Sequence, residues 1–310
     1  MKGFIFSAGF GERLLPITEF MPKSLVPVLN LPSICFAIML LKEAGIEDII
    51  CNLHYRYRDI IDFFEKNNHF GLNITFSIEE KILGTGGGVK KCEKMLCDDD
   101  FVIVNSDVVM DIDLAKVINY HKKHFSPATL ILKKTEEANL IGPVAVVDGT
   151  VVDFKNFLNS GIGSNFIYTG AAVLSPDILQ YLTKDFSSIV YTGYVDFIRH
   201  HSIRCFELDD LWLDIGTIFS LWKANMILMK NFDLLSNRLL STLDKSLETV
   251  SRSAFIDKGV EIKGAVIGND SFIGKGSIVE DSIVLPYSRI DGNNTIKNSI
   301  VYGDRIIEVG

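Results

Sequence analysis

The sequence is short of positive charge. Its 310 residues carry 31 Lys and Arg against 39 Asp and Glu, a formal net charge of −8. A generally acidic surface repels phosphate backbones, which argues against nucleic acid as a bulk partner. A small phosphate-bearing ligand would need cations placed locally. Paired cysteines are lacking too. There are five, Cys35, Cys51, Cys92, Cys97 and Cys205, an odd number with no C-x-x-C spacing. That excludes a disulfide-stapled scaffold and fits reduced, structural thiols in a cytoplasmic protein; nothing around Cys92 and Cys97 marks a disulfide exchanger. No apolar run reaches the roughly 18–20 residues of a membrane span, so no membrane association is expected. The apolar start, residues 1–9, is too short for a secretory signal and reads as a strand buried on both faces.

What is present is ordinary globular material, 47% apolar and 23% charged. The length suits one large or two modest domains. Residues 2–7, 48–53, 74–78, 101–105 and 128–133 read as strands. Residues 33–44, 57–67, 89–95 and 115–124 read as helices, the first ended by Gly45. Such alternation predicts a mostly parallel sheet covered by helices on both faces, with ligands at the carboxyl ends of its strands. The loops after Ser7 and Asn105 should then line one site. Residues 143–147, 151–154 and 171–174 are short β segments, read as a subdomain over that edge, and 219–243 is long and mostly helical.

From Ala254 the pattern changes. Ile256, Ile262, Ile267, Ile273, Val279 and Leu285 recur every fifth or sixth residue, with Gly259, Gly264, Gly268, Gly274 and Gly276 between them. Short β runs with turns at this spacing describe a parallel β-helix, and the pattern degrades after Leu285, as a terminal rung would.

The strongest local signal is SAGFGERLLPITEFMPKSLVPV, residues 7–28. A strand runs into Gly9 and Gly11, then Arg13, then Pro22 and Lys23. Glycines let a backbone approach a polyphosphate, and turn amides can point at its oxygens. Arg13 and Lys23 put positive charge where the chain otherwise lacks it. The spacing is neither G-x-G-x-x-G nor the Walker pattern, so neither a dinucleotide fold nor an ATPase loop follows. Asp107 sits just past a buried strand and Asp214 follows a tryptophan and precedes Gly216; two carboxylates meeting at one site can hold Mg²⁺. His121 and His124 read as surface residues, without a third metal ligand. His200 and His201 read as solvated. Ser7 has no His or acid partner in view.

These segments together resemble the sugar-1-phosphate nucleotidyltransferases, or NDP-sugar pyrophosphorylases. The loop at 7–28 is similar to their signature G-x-G-x-R followed by P-K. LGTGGGV at 83–89 resembles their second glycine loop, VNSDVV at 104–109 the strand end with a metal-binding aspartate, and WLDIGTIFSLWKAN at 212–225 the segment with the second metal ligand. The resemblance covers nearly the whole chain and holds the family's order. It implies a Rossmann-like, mixed but mostly parallel sheet over residues 1–245 and a short left-handed parallel β-helix of hexapeptide-like repeats over 250–310.

It also implies roles. Arg13, Lys23 and Asp107 would be catalytic. Ala8, Gly9, Gly11, Gly86 and Gly87 would approach the nucleotide, with Glu80 reading the base edge. Gly142, Lys155, Thr169 and Gly170 would line the sugar-phosphate side, and Asp107 and Asp214 would hold Mg²⁺. The departures lie mostly on the sugar side. The family's EKP is absent, with Lys155 in VVDFKNFLNSG near its place; Glu12 replaces a threonine, Ile218 a proline and Leu221 a tyrosine. SIEEKILGTGGG and the tail resemble guanylyltransferases acting on mannose-1-phosphate or a heptose-1-phosphate, so GTP is the favoured nucleotide. TGGG without EKP is similar to uridylyltransferases acting on N-acetylmuramate-1-phosphate, which keeps UTP next. A non-catalytic subunit of the same architecture is the alternative of another class, but Arg13, Lys23, Asp107 and Asp214 all persist. An acyltransferase tail is disfavoured because no histidine follows His201. The tail is expected to mediate homo-oligomerisation.

Overall fold

The computed structural model describes residues 1–230 and 233–309. The chain forms two compact units, one of Met1–Phe10 with Phe36–Trp212, the other of Gly11–Cys35 with Leu213–Gly310.

The first unit is built on a nine-stranded sheet. Its strands are β1 (Lys2–Phe6), β2 (Asp48–Leu53), β3 (Asn73–Ile78), β4 (Phe101–Asn105), β5 (Ala128–Lys134), β6 (Val144–Val147), β7 (Thr150–Phe154), β8 (Phe166–Leu174) and β9 (Ile203–Glu207). Their spatial order is β3-β2-β1-β4-β8-β5-β9-β7-β6. The first four are parallel, with Phe4 opposite Ile50 on one side and Ile103 on the other. Strand β8 is antiparallel to both β4 and β5, and β9 is parallel to β5. Strands β1, β2 and β4 are near-continuous apolar runs because both faces are covered. The β segments between 144 and 174 are therefore strands of this sheet, not a subdomain laid over it. Strands β6, β7 and β8 pair antiparallel with their neighbours, which needs no helical crossover, so the expected alternation stops there.

Helices α1 (Ile34–Glu43), α2 (Tyr57–Lys66), α3 (Gly84–Lys91) and α4 (Leu114–Lys123) follow strand ends as expected, with one difference. The glycine segment is not a loop ahead of a helix at 89; it is itself the first turns of α3. Glycine resists helix formation by about 1 kcal/mol per residue. Here close packing outweighs propensity: a Cβ at Gly84 would lie 2.5 Å from the Ser187 carbonyl oxygen, and one at Gly87 would overlap the Asp185 carbonyl. The amide of Gly86 donates to Ser187 O at 2.8 Å.

In the second unit, the mostly helical stretch expected over 219–243 consists of α5 (Ile218–Leu228) and α6 (Asp233–Leu243); residues 231 and 232 of that stretch lie outside the described residues. Helix α5 opens on a capping box, Thr217 with Ser220. The tail is a coil of short parallel strands. Phe255 sits on Phe272 and Phe272 on Arg289, so a turn takes 17 residues. Glu261, Ile278 and Thr295 stack likewise, as do Val266, Ile283 and Ile300. Ile267, Ile273, Val279, Val284, Ile290, Ile296 and Val301 form its core. The repeat does not fade after Leu285 but runs to Val301, where Ser299–Tyr302 and Arg305–Glu308 close it as a hairpin. Val284, not Leu285, belongs to the inner stack.

Candidate active site

In the first unit, three strand ends meet the expected site residues. Strand β1 leads into Ser7, Ala8 and Gly9; Ala8 is buried, and the space beside Gly9 is open. The Ser7 amide donates to Asn52 Oδ1 at 2.9 Å, just past β1 and near the end of its neighbour β2. At the end of β4, Ser106 Oγ donates to Phe6 O at 2.6 Å, tying the turn that carries Asp107 to β1. The Asn105 side chain lies over Gly170. At φ 89°, Gly170 adopts a conformation that favours glycine, and a Cβ there would come within 2.6 Å of Asn105 Nδ2. Thr169 is buried beside it, donating through Oγ1 to Ile131 O at 2.8 Å and accepting from Trp212 Nε1 at 3.0 Å through its carbonyl. Thr169 and Gly170 thus stand against the strand end that leads to Asp107.

Gly142 and Lys155 are also brought together. Gly142 has φ 142°, and a Cβ there would overlap the Lys155 side chain. The Lys155 ammonium sits 5.8 Å from the Tyr191 ring centre, an aromatic ring packed in turn on Phe157 at 5.1 Å. Glu80 is exposed. Its neighbour Glu79 is the buried one, accepting from Asn52 Nδ2 and from the Leu83 amide, both at 2.8 Å. The surroundings of Gly86 and Gly87 are the chain's own segment 185–188, so the close approach these glycines permit is first of all the protein to itself.

In the second unit, the signature loop turns at Gly11, with φ 72° and ψ 34°. Thr18 Oγ1 donates to Gly11 O at 3.0 Å, and a Cβ at Gly11 would stand 3.1 Å from Lys23 Cβ. Glycine is required here by the turn and by the approach of Thr18 and Lys23. Gly216 does the same for the other two charged residues. A Cβ there would lie 2.8 Å from Arg13 Nη2 and 3.0 Å from Asp214 Oδ1. The Asp214 carboxylate also accepts from the Gly216 amide at 3.2 Å. A guanidinium, an ammonium and a carboxylate are thus carried on one pair of glycine turns. Such a set can neutralise phosphate oxygens and take part in holding a hard cation. Among the described residues, no three His, Cys, Asp or Glu side chains gather as a cage that would hold a metal unaided.

The other sequence candidates fall away from these strand ends. His121 is buried rather than surface: it is 2% exposed, with Nδ1 3.0 Å from Thr129 Oγ1 and Nε2 3.3 Å from Asp100 Oδ2. Burial pushes its pKa down, and Asp100 opposes the shift. His201 is not simply solvated either; its Nε2 meets the Tyr181 hydroxyl at 3.1 Å. Burial pushes the thiols of Cys35, Cys51 and Cys205 up to about 12, which keeps them protonated and inert at neutral pH. Asn52 and Glu79 were missed. The signal was available for Asn52, a polar side chain near the carboxyl end of an apolar parallel strand.

A mostly parallel sheet with helices after its strand ends, and glycines that admit charged side chains, define an α/β protein. Residues 2–231 match the model of the nucleotidyl transferase family, and the chain belongs to that family. It is 34% identical over 221 residues to a mannose-1-phosphate guanyltransferase of Yarrowia lipolytica, covering 70% of this chain and 61% of that protein. The chain thus spans about three-fifths of the length of that curated relative. A mannose-1-phosphate guanyltransferase of Eremothecium gossypii is 29% identical over 269 residues, covering 85% of this chain and 73% of that one. Among solved structures, a Bacillus anthracis protein assigned as a glucose-1-phosphate thymidylyltransferase superposes with a TM-score of 0.66 at 24% identity, covering 73% of this chain and 94% of that one. The likeness to that structure is one of fold. No helix among the described residues is long and apolar enough to cross a membrane.

Proposed function

We propose that this chain transfers a nucleoside monophosphate from a nucleoside triphosphate to a sugar-1-phosphate, with GTP and mannose-1-phosphate the favoured pair. A phosphate oxygen of the sugar-1-phosphate attacks the α-phosphorus in line. A new O–P bond forms, the bond to the bridging oxygen breaks, and pyrophosphate leaves with its charge. The observation that carries this reading is the convergence of the Arg13 guanidinium and the Asp214 carboxylate on Gly216, with Lys23 packed on Gly11 in the same unit. The guanyltransferase relatives favour guanosine over uridine.

Such a reaction needs positioning and neutralisation rather than a covalent intermediate. Arg13 neutralises the departing pyrophosphate, and Lys23 holds oxygens near the attacked phosphorus. The backbone of Ala8, Gly9 and Gly11 cradles the triphosphate, with Gly86, Gly87 and Glu80 on the base side. Lys155, over Gly142, binds the acceptor phosphate, with Thr169 and Gly170 shaping the sugar pocket. Asp107 and Asp214 offer the hard oxygen donors that Mg²⁺ prefers, two carboxylates leaving positions for substrate phosphates. When bound, the ion would screen phosphate charge and fix the triphosphate's conformation. The catalytic domain is residues 1–245 and the tail 250–310, and we place the protein in the cytoplasm as a homo-oligomer.

Pyrophosphate release over a panel of nucleoside triphosphates and sugar-1-phosphates tests the reading. Turnover is expected with Mg²⁺ and absent with EDTA, greatest with GTP and mannose-1-phosphate. No turnover with any pair rejects the enzyme reading in favour of a non-catalytic subunit. Asp107→Asn should remove metal-dependent turnover while leaving the thermal transition in place. An active variant overturns its role.

A further inference from the structure

Asn52 belongs to none of the roles above. It is 2% exposed, near the end of β2, and its amide makes two bonds in opposite senses. Oδ1 accepts from the Ser7 amide at 2.9 Å, and Nδ2 donates to Glu79 Oε1 at 2.8 Å. Glu79 is also 2% exposed, and its other oxygen accepts from the Leu83 amide at 2.8 Å. One unbroken path of hydrogen bonds therefore joins the residue that opens the signature loop to the residue that opens the glycine helix α3. The chemistry of the partners fixes the middle residue. An amide N–H can only donate and a carboxylate only accept, so the bridge must present an acceptor to one and a donor to the other. Asparagine does both at this length. A leucine offers neither, and an ionised aspartate would set two carboxylates against each other. Gly88 belongs to the same device: a Cβ there would lie 2.7 Å from Asn52 Nδ2 and 2.9 Å from Glu79 Oε1, so α3 seats on the pair only without a side chain.

We propose that Asn52 is a positioning residue for nucleotide binding, setting the spacing between the loop after β1 and the start of α3. The inference rests on the reading that both segments face the nucleotide. A buried, fully bonded polar bridge of this kind loses its geometry when either bond is removed, because the orphaned partner must find another. Asn52 touches no substrate itself; it acts through the Ser7 and Leu83 amides.

Two variants test it. Asn52→Asp keeps the acceptor for Ser7 and can donate to Glu79 only when protonated. The other groups facing the pair are His54, with Nδ1 2.7 Å from Glu79 O, Cys92, whose thiol burial holds up, and Lys91, whose ammonium donates to Ile78 O. The KM for GTP should rise about tenfold or more at pH 8. It should recover on lowering the pH to 6, where two adjacent carboxylates share a proton. The KM for the sugar-1-phosphate should stay within about twofold. Asn52→Ser should lose hydrogen-exchange protection at both the Ser7 and Leu83 amides, although Asn52 is bonded only to the first. A GTP KM that does not move, a loss without pH recovery, or exchange confined to Ser7 overturns the proposal. So does failure of both variants to fold, which would make Asn52 a structural residue. A wild type without turnover would reject the functional reading, while the exchange experiment still decides whether Asn52 couples the two segments.

Discussion

The charges that matter for phosphate chemistry stand against glycines. Gly11 admits Thr18 and Lys23, and Gly216 admits Arg13 and Asp214; neither position tolerates a Cβ at ordinary contact distance. Lys23→Ala removes only a partly exposed side chain beyond Cβ. It should lower kcat by about 10²–10³, the usual effect of deleting one donor to developing charge. Equal kcat for wild type and variant would remove Lys23 from the phosphate site. His121 carries a prediction of another kind. Burial holds its pKa below 6.5 in the folded chain, with Asp100 only partly offsetting the effect. The unfolded chain therefore takes up a proton first as pH falls, and stability drops from about pH 6.5 downward toward the folded value. Urea unfolding from pH 8 to 5 should show this fall, and His121→Gln should flatten it; an unchanged slope would show that other groups set the acid limit.

At the scale of elements, what could be read in the sequence depended on what holds each element in place. Strands β1, β2 and β4 were legible because burial on both faces demands unbroken apolar runs. Strand β9 was not: Arg204, Cys205, Phe206 and Glu207 are all half-buried and carry no period. Helix α3 was read five residues late, at 89 rather than Gly84, because four of its residues are glycine and only the segment 185–188, distant in sequence, makes a helix of them. The last turn of the coil was hidden for the opposite reason. Its outer positions are polar, Arg289, Asp291, Asn293 and Asn294, while each face keeps one residue in the inner stack, Ile290, Ile296 or Val301. Arg289 instead packs its guanidinium 4.3 Å from the Phe272 ring centre on the turn below. The site divided along the same line. Glycines and charges stood out as motifs, whereas Asn52 and Glu79 act through hydrogen bonds between distant segments. The coil's inner stack should behave as a true core. Ile273 is fully buried between Ile256 and Ile290, so Ile273→Ala should cost about 2–5 kcal/mol. Calorimetry that resolves the second unit would measure it, and a loss below about 1 kcal/mol would mean the coil is loosely packed.

For the whole molecule the question is how the coil ends. At its far end the hairpin Ser299–Tyr302 with Arg305–Glu308 finishes the 266–267 and 283–284 ladder. The first turn is finished on one face only, where Val250 bridges to Ile267. On its other faces Phe255–Ile256 and Glu261–Lys263 are, among the described residues, edge strands paired on one side, and Phe255 is 71% exposed. Exposed edges of apolar strands pair with whatever strand is offered, and a second copy of the same edge is always present. A homo-oligomer built on this end would bury Phe255 and satisfy the open backbone groups, whereas the acidic net charge of the chain opposes indiscriminate association. Phe255→Glu places like charges across such a contact without disturbing the inner stack, since the side chain already points outward. The wild type should sediment as a multiple of 34.6 kDa and the variant at the monomer mass. If both sediment alike, the first turn is not the interface, and the coil's edge is protected by its short strands alone.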